Sequence, residues 1–275
     1  MNDTEYALGR TKAEYDRLIE QAELLQPLTE RMLRAAGIGP GMHVLDIGCG
    51  AGDVSFLVSE LVGPEGSVVG IDLDGDVVRF ANERRAARGI TNVVFREVNA
   101  LDGAVHFERL FDAAVGRLVL MYMSDPTAAL RLIAERVRSG GIVAFQEAII
   151  PLASALNLPV LESLHTLNSK TLERSGARPG IGAELYWRMQ DAGLDPEPRP
   201  LAEIAVCMGQ GAGAVAYRRW SLIARNLLPK IVEYGLATEE EVLDTIERRL
   251  RDELMDARGL MPLSWLSIGQ WARKP

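Results

Sequence analysis

The fold of this chain is decided by Val44-Leu45-Asp46-Ile47-Gly48-Cys49-Gly50-Ala51-Gly52-Asp53. The apolar run that ends at Ile47 predicts a short buried strand, and the amphipathic residues 54–62 predict a helix. Three glycines at alternate positions separate the two. A strand, a glycine turn and a helix start form a nucleotide-binding corner, because the backbone can touch a ligand where no side chain intervenes.

The spacing of the glycines indicates which nucleotide fits this corner. A dinucleotide fingerprint has the form G-x-G-x-x-G, and counting from Gly48 places its last glycine at Asp53, so the spacing fails. The acid before the glycines, Asp46, suits a ligand with a cationic end better than a pyrophosphate. A dehydrogenase is therefore disfavoured.

The pattern D-x-G-C-G-x-G resembles motif I of the class I S-adenosylmethionine-dependent methyltransferases. In that family the acid and the glycine loop hold the amino-acid end of S-adenosylmethionine. The resemblance therefore implies this cofactor. It implies that the motif binds it through Asp46, Gly48, Cys49, Gly50 and Gly52.

A second acidic residue supports the prediction of a nucleotide-binding corner. Residues 68–74 predict a strand that ends at Asp72, 24 residues beyond Gly48. A carboxylate there can accept hydrogen bonds from both ribose hydroxyls, although NAD enzymes share this acid and a helix cap is an alternative role. We expect Asp72 and Leu73 to contact the cofactor.

The resemblance extends over roughly residues 43–147. Residues 94–101 resemble the third strand and the loop that flanks adenine, with Asn99 where the family often has Asp. Residues 111–120 resemble the fourth strand, and residues 137–145 resemble a turn and the fifth strand. The further cofactor contacts that the resemblance implies are Asn99, Ala100, Arg117, Leu118 and, before the first helix, Tyr6.

Strands and helices alternate from residue 43 to 147, which predicts an α/β fold with a doubly wound, mostly parallel sheet. By resemblance we expect seven strands in a Rossmann-like order, with an antiparallel hairpin at the end. Pro27 is expected to split the helical region before residue 36 into two helices. The expected domains are a helical lid, 1–36, and a methyltransferase domain, 37–275, with helical insertions at about 148–180 and 209–262. These additions should cover the carboxyl edge of the sheet, where ligands bind.

The composition of the chain argues against several classes of binding partner. The formal net charge is −8, from 30 basic and 38 acidic residues, which argues against nucleic acid and anionic membranes as partners. Two cysteines form no disulfide framework, and no apolar signal region opens the chain, so a cytoplasmic location is expected. No metal site is expected, because no cluster has metal-ligand spacing. The expected partner is a small molecule, and a homo-oligomer is left open.

Methyl transfer is an in-line displacement that needs alignment of the reactants and exclusion of water. A base is needed only if the nucleophile must lose a proton. Tyr122 follows the fourth strand, Glu147 closes the fifth, and His165 lies in the expected insertion. These three are the acceptor-side candidates, although a structural salt bridge for the glutamate and a solvated position for the histidine are the plainer interpretations.

The sequence thus predicts a methyltransferase that acts on a small, largely apolar acceptor of secondary metabolism, through proximity and desolvation. One alternative is a cyclase or isomerase that keeps the methyltransferase fold. Another is an enzyme that couples methylation to cyclisation, with aromatic side chains stabilising a cation. Four tryptophans lie in the second half of the chain, and each is expected in the core. If some of them line the lid instead, the acceptor is bulky and apolar.

Overall fold

A computed structural model describes residues 12–150, 158–207, 211–256 and 261–275. Its centre is one sheet with strand order β3-β2-β1-β4-β5-β8-β6, in which β7 pairs with β8 beside this path. The strands are β1 His43–Ile47, β2 Ser67–Asp72, β3 Val93–Glu97, β4 Phe111–Arg117, β5 Val137–Ile149, β6 Asp195–Pro196, β7 Leu201–Cys207 and β8 Met261–Arg273.

Helices cover both faces of this sheet and extend beyond its carboxyl edge. They are α1 Lys12–Ala36, α2 Asp53–Val62, α3 Gly75–Ala87, α4 Pro126–Glu135, α5 Pro159–Arg174, α6 Leu185–Asp191, α7 Ala212–Glu233, α8 Glu239–Asp244 and α9 Leu250–Asp256. A π-helical turn, Thr245–Arg249, joins the last two. None of the helices in the described ranges has both the length and the apolarity that crossing a membrane requires.

The strand order explains where a ligand can bind. The chain runs outward from β1 through β2 to β3, and then returns to place β4 and β5 on the other side of β1. Strands β1 to β5 are parallel, whereas β8 pairs antiparallel with β5 and β7. The reversal of order beside β1 opens a crevice at the carboxyl ends of β1 and β4. The doubly wound sheet and its antiparallel end are as predicted.

Two expectations about elements are wrong. Helix α1 continues through Pro27 instead of splitting there. Leu25 before the proline and Leu28 after it are buried in one hydrophobic cluster, and Met32 and Leu33 are buried in another. This continuous packing offsets the backbone hydrogen bond that the proline cannot donate. The sheet has eight strands rather than seven, because the two residues of β6 pair with the end of β8.

Three hydrophobic clusters hold these layers together. Two of them cover the two faces of the sheet, centred on residues such as Val44 and Phe56 on one face and Leu45 and Phe145 on the other. The third lies among α5, α7, α8 and α9 and includes Trp220. The helical additions therefore have a core of their own, which packs against the carboxyl edge of the sheet.

Candidate active site

A cavity of about 680 Å³ opens at the carboxyl ends of the strands. This volume falls within the roughly 300–1,000 Å³ that small-molecule sites occupy. Its sheet-side wall is formed by the segments that follow β1, β2, β3 and β4. Its other wall is formed by α1, α5, α7 and the side chain of Trp265 on β8. The cavity thus lies between the sheet and the helical additions.

The glycine loop after β1 forms the floor of this cavity. Gly48 has φ +64° and Gly50 has φ +50°, conformations that favour glycine. A Cβ on Gly48 would lie 2.4 Å from Cγ2 of Val119, so this loop packs directly against the segment after β4. Cys49 also lines the cavity, and burial raises the pKa of its thiol well above the ordinary value. A neutral thiol is therefore expected there.

The carboxylate of Asp72 holds the glycine loop and faces the cavity. Its Oδ2 accepts a hydrogen bond from the Gly50 N–H at 2.9 Å, and its Oδ1 accepts one from the Asp74 N–H at 3.1 Å. Burial raises the pKa of Asp72, while these backbone hydrogen bonds oppose the rise. Each oxygen keeps a lone pair for a ligand hydroxyl. Leu73, the next residue, lines the cavity with 47% of its surface exposed.

Two residues of motif I lie behind the loop rather than on the cavity wall. Asp46 is fully buried and accepts a 2.6 Å hydrogen bond from the Ser55 hydroxyl; burial raises its pKa to about 7. Gly52 has φ +90°, and a Cβ there would lie 2.6 Å from the ring of Phe95. Both placements are explained by packing of the corner, and contact of either residue with a cofactor stays a prediction.

The loop after β3 and the end of β4 supply further predicted residues to the cavity. Asn99 and Ala100 line it, and the side-chain Oδ1 of Asn99 accepts a 2.7 Å hydrogen bond from the Leu101 N–H, as a turn residue does. Leu118 lines it with φ +54°, which makes it the one non-glycine residue of positive φ in the described part of the chain. Tyr6 lies outside the described residues.

Arg117 brings a positive charge to the cavity. Its guanidinium donates to the Thr29 hydroxyl at 3.1 Å and forms no salt bridge with any described carboxylate. Burial lowers its pKa, and the more distant Asp53 and Asp46 oppose that change. A partly buried cation without a close counter-ion is unfavourable, so this position favours an anionic ligand group.

Two further arginines lie near Arg117. Arg17 lines the cavity and donates to the Gln21 side chain at 2.7 Å, and Arg219 donates to the same oxygen at 3.3 Å. Burial, and then repulsion from the other two arginines, lower the pKa of Arg219 to about 9. Neither Arg17 nor Arg219 was among the predicted site residues, because α1 and α7 meet only in the folded chain.

Glu147 does not lie on the cavity wall, so the structure does not bring it to an acceptor. Its Oε1 accepts hydrogen bonds from the N–H groups of Val119 at 2.9 Å and Leu120 at 2.8 Å. Burial raises its pKa to about 7. The carboxylate thus holds the segment after β4, including the unusual backbone of Leu118, in place. A positioning role fits this geometry better than proton transfer.

The other two acceptor-side candidates are placed differently from each other. Tyr122 lines the cavity in the 3-10 turn after β4, between Met121 and Met123. His165 does not line it; the centre of its ring lies 4.0 Å from that of Trp220. Burial lowers the pKa of His165 to about 4, so the imidazole is neutral near pH 7. The plainer expectation of a solvated histidine is therefore wrong.

The acceptor side of the cavity contains residues that were not among the predicted site residues. Trp220 and Trp265 are buried as expected, yet they also line the cavity, whereas Trp187 is 63% exposed, against the expectation of a core position. Asn168 lines the cavity too and carried no local signal in the sequence. An asparagine in the middle of a helix becomes a site candidate only once its burial is known.

The sequence of the chain is similar to the sequences of known proteins. A family described as a methyltransferase domain matches residues 38–186, which is more than half of the chain. Aklanonic acid methyltransferase DauC from Streptomyces sp. (strain C5) is 30% identical over 155 residues, which cover 54% of this chain and 69% of that protein. Nocamycin O-methyltransferase from Saccharothrix syringae is 32% identical over 129 residues, 47% of this chain and 46% of the relative.

A solved structure shares the whole architecture. The 4+2 cyclase SpnF superposes with a TM-score of 0.54 at 21% sequence identity, and the match covers 90% of this chain and 81% of that one. Similarity at this level establishes the fold alone. The family match and the structural match therefore agree on the fold of the methyltransferase domain.

Proposed function

The chain belongs to the class I methyltransferase family, and on that premise we propose that it transfers a methyl group from S-adenosylmethionine to a small, largely apolar acceptor. One observation carries the proposal: a single cavity is lined by the glycine loop on one side and by apolar and aromatic side chains of the helical additions on the other. Donor and acceptor can therefore meet in one enclosed space.

The residues on the sheet side fit the parts of S-adenosylmethionine. Gly48 and Gly50 leave the backbone open to the amino-acid end, and Arg117 offers a partly buried cation to its carboxylate. Asp72 has free lone pairs for the ribose hydroxyls. Asn99 belongs to the loop that by resemblance flanks adenine, and the exposed side chain of Leu73 offers the cofactor an apolar surface.

The contribution of the protein is alignment and desolvation. When bound, S-adenosylmethionine supplies an electrophilic methyl group on a sulfonium. Leu18 of α1 lies over the glycine loop, where its Cδ1 would be 3.9 Å from a Cβ on Gly50, so this helix covers the cofactor side as a lid would. Met121 and Tyr122 face the cavity from the segment after β4 and orient the acceptor against the reacting carbon. Closure by α1, α5 and α7 excludes water.

The relatives support the chemical class of the acceptor. Two of them are named for aklanonic acid and nocamycin, which places small-molecule methylation of secondary metabolism among the activities of similar chains. The largely apolar wall formed by α5, α7 and β8 is consistent with such an acceptor, and the negative net charge does not favour a nucleic-acid substrate.

Calorimetric titration with S-adenosylhomocysteine tests the cofactor assignment. We expect binding to the purified protein and at least a tenfold loss of affinity in Asp72→Ala, because this change removes the acceptor of the Gly50 N–H and of the ribose hydroxyls. Asp195→Ala, an exposed carboxylate on β6, serves as the control with unchanged affinity. Absence of binding by folded wild-type protein would refute the proposal.

A cyclase or isomerase with the methyltransferase fold is the second candidate. The observation that favours it is that, within the described ranges, the acceptor-side wall carries no imidazole or carboxylate to take a proton. Such a wall suits an acceptor that needs no deprotonation, and it also suits a reaction without methyl transfer. Product mass separates the two: methylation adds the mass of one methyl group per turnover, whereas cyclisation or isomerisation leaves the mass unchanged.

A further inference from the structure

Asn168 is an unusual residue of the acceptor-side wall. It lies in α5 with 2% of its surface exposed, and it lines the cavity. Neither its Oδ1 nor its Nδ2 has a hydrogen-bond partner in the part of the chain that the structure describes. A buried polar group left without partners is destabilising, so each one calls for an explanation.

The next residue of α5 shows what a structural polar group looks like here. Ser169 is also buried, but its hydroxyl donates to the Ile150 carbonyl and contacts the Glu173 carboxylate, both at 3.4 Å. Ser169 does not line the cavity. The contrast indicates that the amide of Asn168 is kept for something other than the fold.

Two buried indoles share the wall with Asn168. Trp220 and Trp265 line the cavity, their ring centres are 6.5 Å apart, and their planes are nearly perpendicular at 79°. The Nε1–H of each lacks a partner among the described residues. Leu172, Ile223 and Leu227 add apolar side chains to the same side of the cavity. The wall thus combines aromatic faces with more unused N–H donors than unused acceptors.

We propose that Asn168 anchors the methyl acceptor, and that the acceptor is a flat ring that carries a carbonyl oxygen next to an N–H or O–H group. This inference rests on the proposed function, because it assigns the acceptor of that same cavity. A primary amide presents N–H and C=O side by side, so it pairs by two hydrogen bonds with a group that offers an acceptor and a donor on one edge. Asparagine reads adenine in the same two-point manner.

The tryptophans complete the fit for such a ring. The parts of their rings that border the cavity contact a flat apolar body, and their N–H groups add donors for further oxygens at its edge. A purely aliphatic acceptor would leave Asn168, Trp220 and Trp265 unsatisfied in the bound state as well. A carbonyl-bearing ring satisfies them at no cost to the apolar wall.

Two matched probes test the two-point contact. The first is 2-quinolinone, a flat lactam with adjacent C=O and N–H; the second is 1-methyl-2-quinolinone, which lacks the N–H. With protein saturated by S-adenosylhomocysteine, we expect calorimetry to show at least tenfold tighter binding of the first probe. In Asn168→Leu the two probes should bind with equal affinity, and in Ser169→Ala the tenfold preference should persist.

The stability of the ligand-free variants separates binding from folding. Asn168→Leu removes unsatisfied atoms and keeps the volume of the side chain, so its melting temperature should equal or exceed that of the wild type. A clear decrease would show that the amide has a structural role, and would overturn the inference. An Asn168→Ser variant, which keeps a smaller polar group, provides a second folded protein in which the preference for 2-quinolinone should fall.

The outcomes also distinguish this inference from the proposed function. Binding of S-adenosylhomocysteine without binding of 2-quinolinone, or equal binding of both probes to the wild type, overturns the role of Asn168 alone. Failure of folded protein to bind S-adenosylhomocysteine refutes the cofactor assignment instead. A preference for 2-quinolinone that survives Asn168→Leu would place the contact on another residue and overturn the inference.

Discussion

Arg117 has a guanidinium that the fold encloses without giving it a carboxylate partner in the described ranges. The Thr29 hydroxyl is a neutral acceptor, and it donates a hydrogen bond to the side-chain oxygen of Gln146 at 2.6 Å. The neighbouring arginines add repulsion rather than relief, as the lowered pKa of Arg219 shows. Such a group stabilises the complex with an anion far more than it stabilises the free protein.

Replacing Arg117 by methionine should therefore separate binding from stability. We expect the affinity for S-adenosylhomocysteine to fall by about 10- to 100-fold, since hydrogen bonds to charged groups contribute roughly 1.5–3 kcal/mol. The free energy of unfolding without ligand should stay equal or rise, because a partly buried cation without a carboxylate partner is removed. Calorimetry and urea titration measure the two quantities. Arg131→Met, an exposed arginine on α4, is the control, and unchanged affinity in Arg117→Met would contradict this role.

The buried carboxyl group of Glu147 should make the stability of the protein depend on pH. Burial raises its pKa from 4.5 to about 7, so between these values the native state binds more protons than the unfolded state. Stability linked to this group is therefore complete below pH 4.5 and is lost as pH rises to about 7. Glu147→Gln removes this loss, while its amide oxygen can still accept from Val119 and Leu120.

The stability of Glu147→Gln relative to wild type should thus increase by about 3 kcal/mol between pH 4.5 and pH 8, given about 1.4 kcal/mol per pKa unit. Urea titrations across this range measure the difference. Exposed Glu83→Gln serves as the control for the substitution itself. A difference between Glu147→Gln and wild type that does not change with pH would show that the native-state pKa of Glu147 is ordinary.

At the scale of elements, the loop after β1 and the segment after β4 are built as one unit. Gly48 approaches Val119 so closely that a Cβ would overlap its side chain. Val119 in turn is held by Glu147 from the end of β5. Three neighbouring strands therefore determine the shape of the cavity floor together, and a change in one segment is transmitted to the others by direct contact.

Gly48→Ala should destabilise the protein by about 2–3 kcal/mol, because it adds overlap at a residue whose φ is also unfavourable for alanine. Binding of S-adenosylhomocysteine should weaken as the floor shifts. Val119→Ala should recover part of both losses in the double variant, since it removes the overlapping methyl group. Gly39→Ala, where a Cβ meets nothing within 4 Å, should change stability by less than about 0.5 kcal/mol. If the effects of Gly48→Ala and Val119→Ala on the free energy of unfolding simply add, the direct contact between the two segments is contradicted.

Sequence reasoning was successful where the signal is local. Alternating strands, glycine turns and acids at strand ends predict the sheet and the cavity floor, because each feature depends on a few adjacent residues. It was wrong at Pro27, where packing on both sides of the proline maintains one helix. It also gave no hint of Asn168 or Arg219, whose burial depends on contacts between α1, α5, α7 and the sheet. Such contacts arise only in the tertiary fold.

At the scale of the whole molecule, the cavity lies between the hydrophobic core of the sheet and that of the helical additions. The sheet carries the cofactor side, and the cluster around Trp220 carries the acceptor side. Helix α1 packs on both, with Leu25 in the helical cluster and Leu33 in a sheet cluster, and its first half lines the cavity. Ligands should therefore stabilise different parts of the molecule in a definite order.

Hydrogen exchange measures this order, because a ligand that binds only the closed state suppresses local opening. We expect S-adenosylhomocysteine to slow exchange in α1 and in the loops after β1 and β2, with little effect on α5. Addition of 2-quinolinone should then slow exchange in α5 and α7, around Asn168 and Trp220. The strand β3, at the far edge of the sheet, is the internal control. Slower exchange in the glycine loop without any change in α1 would show that α1 does not close over the cofactor, and the lid assigned to it would have to be withdrawn.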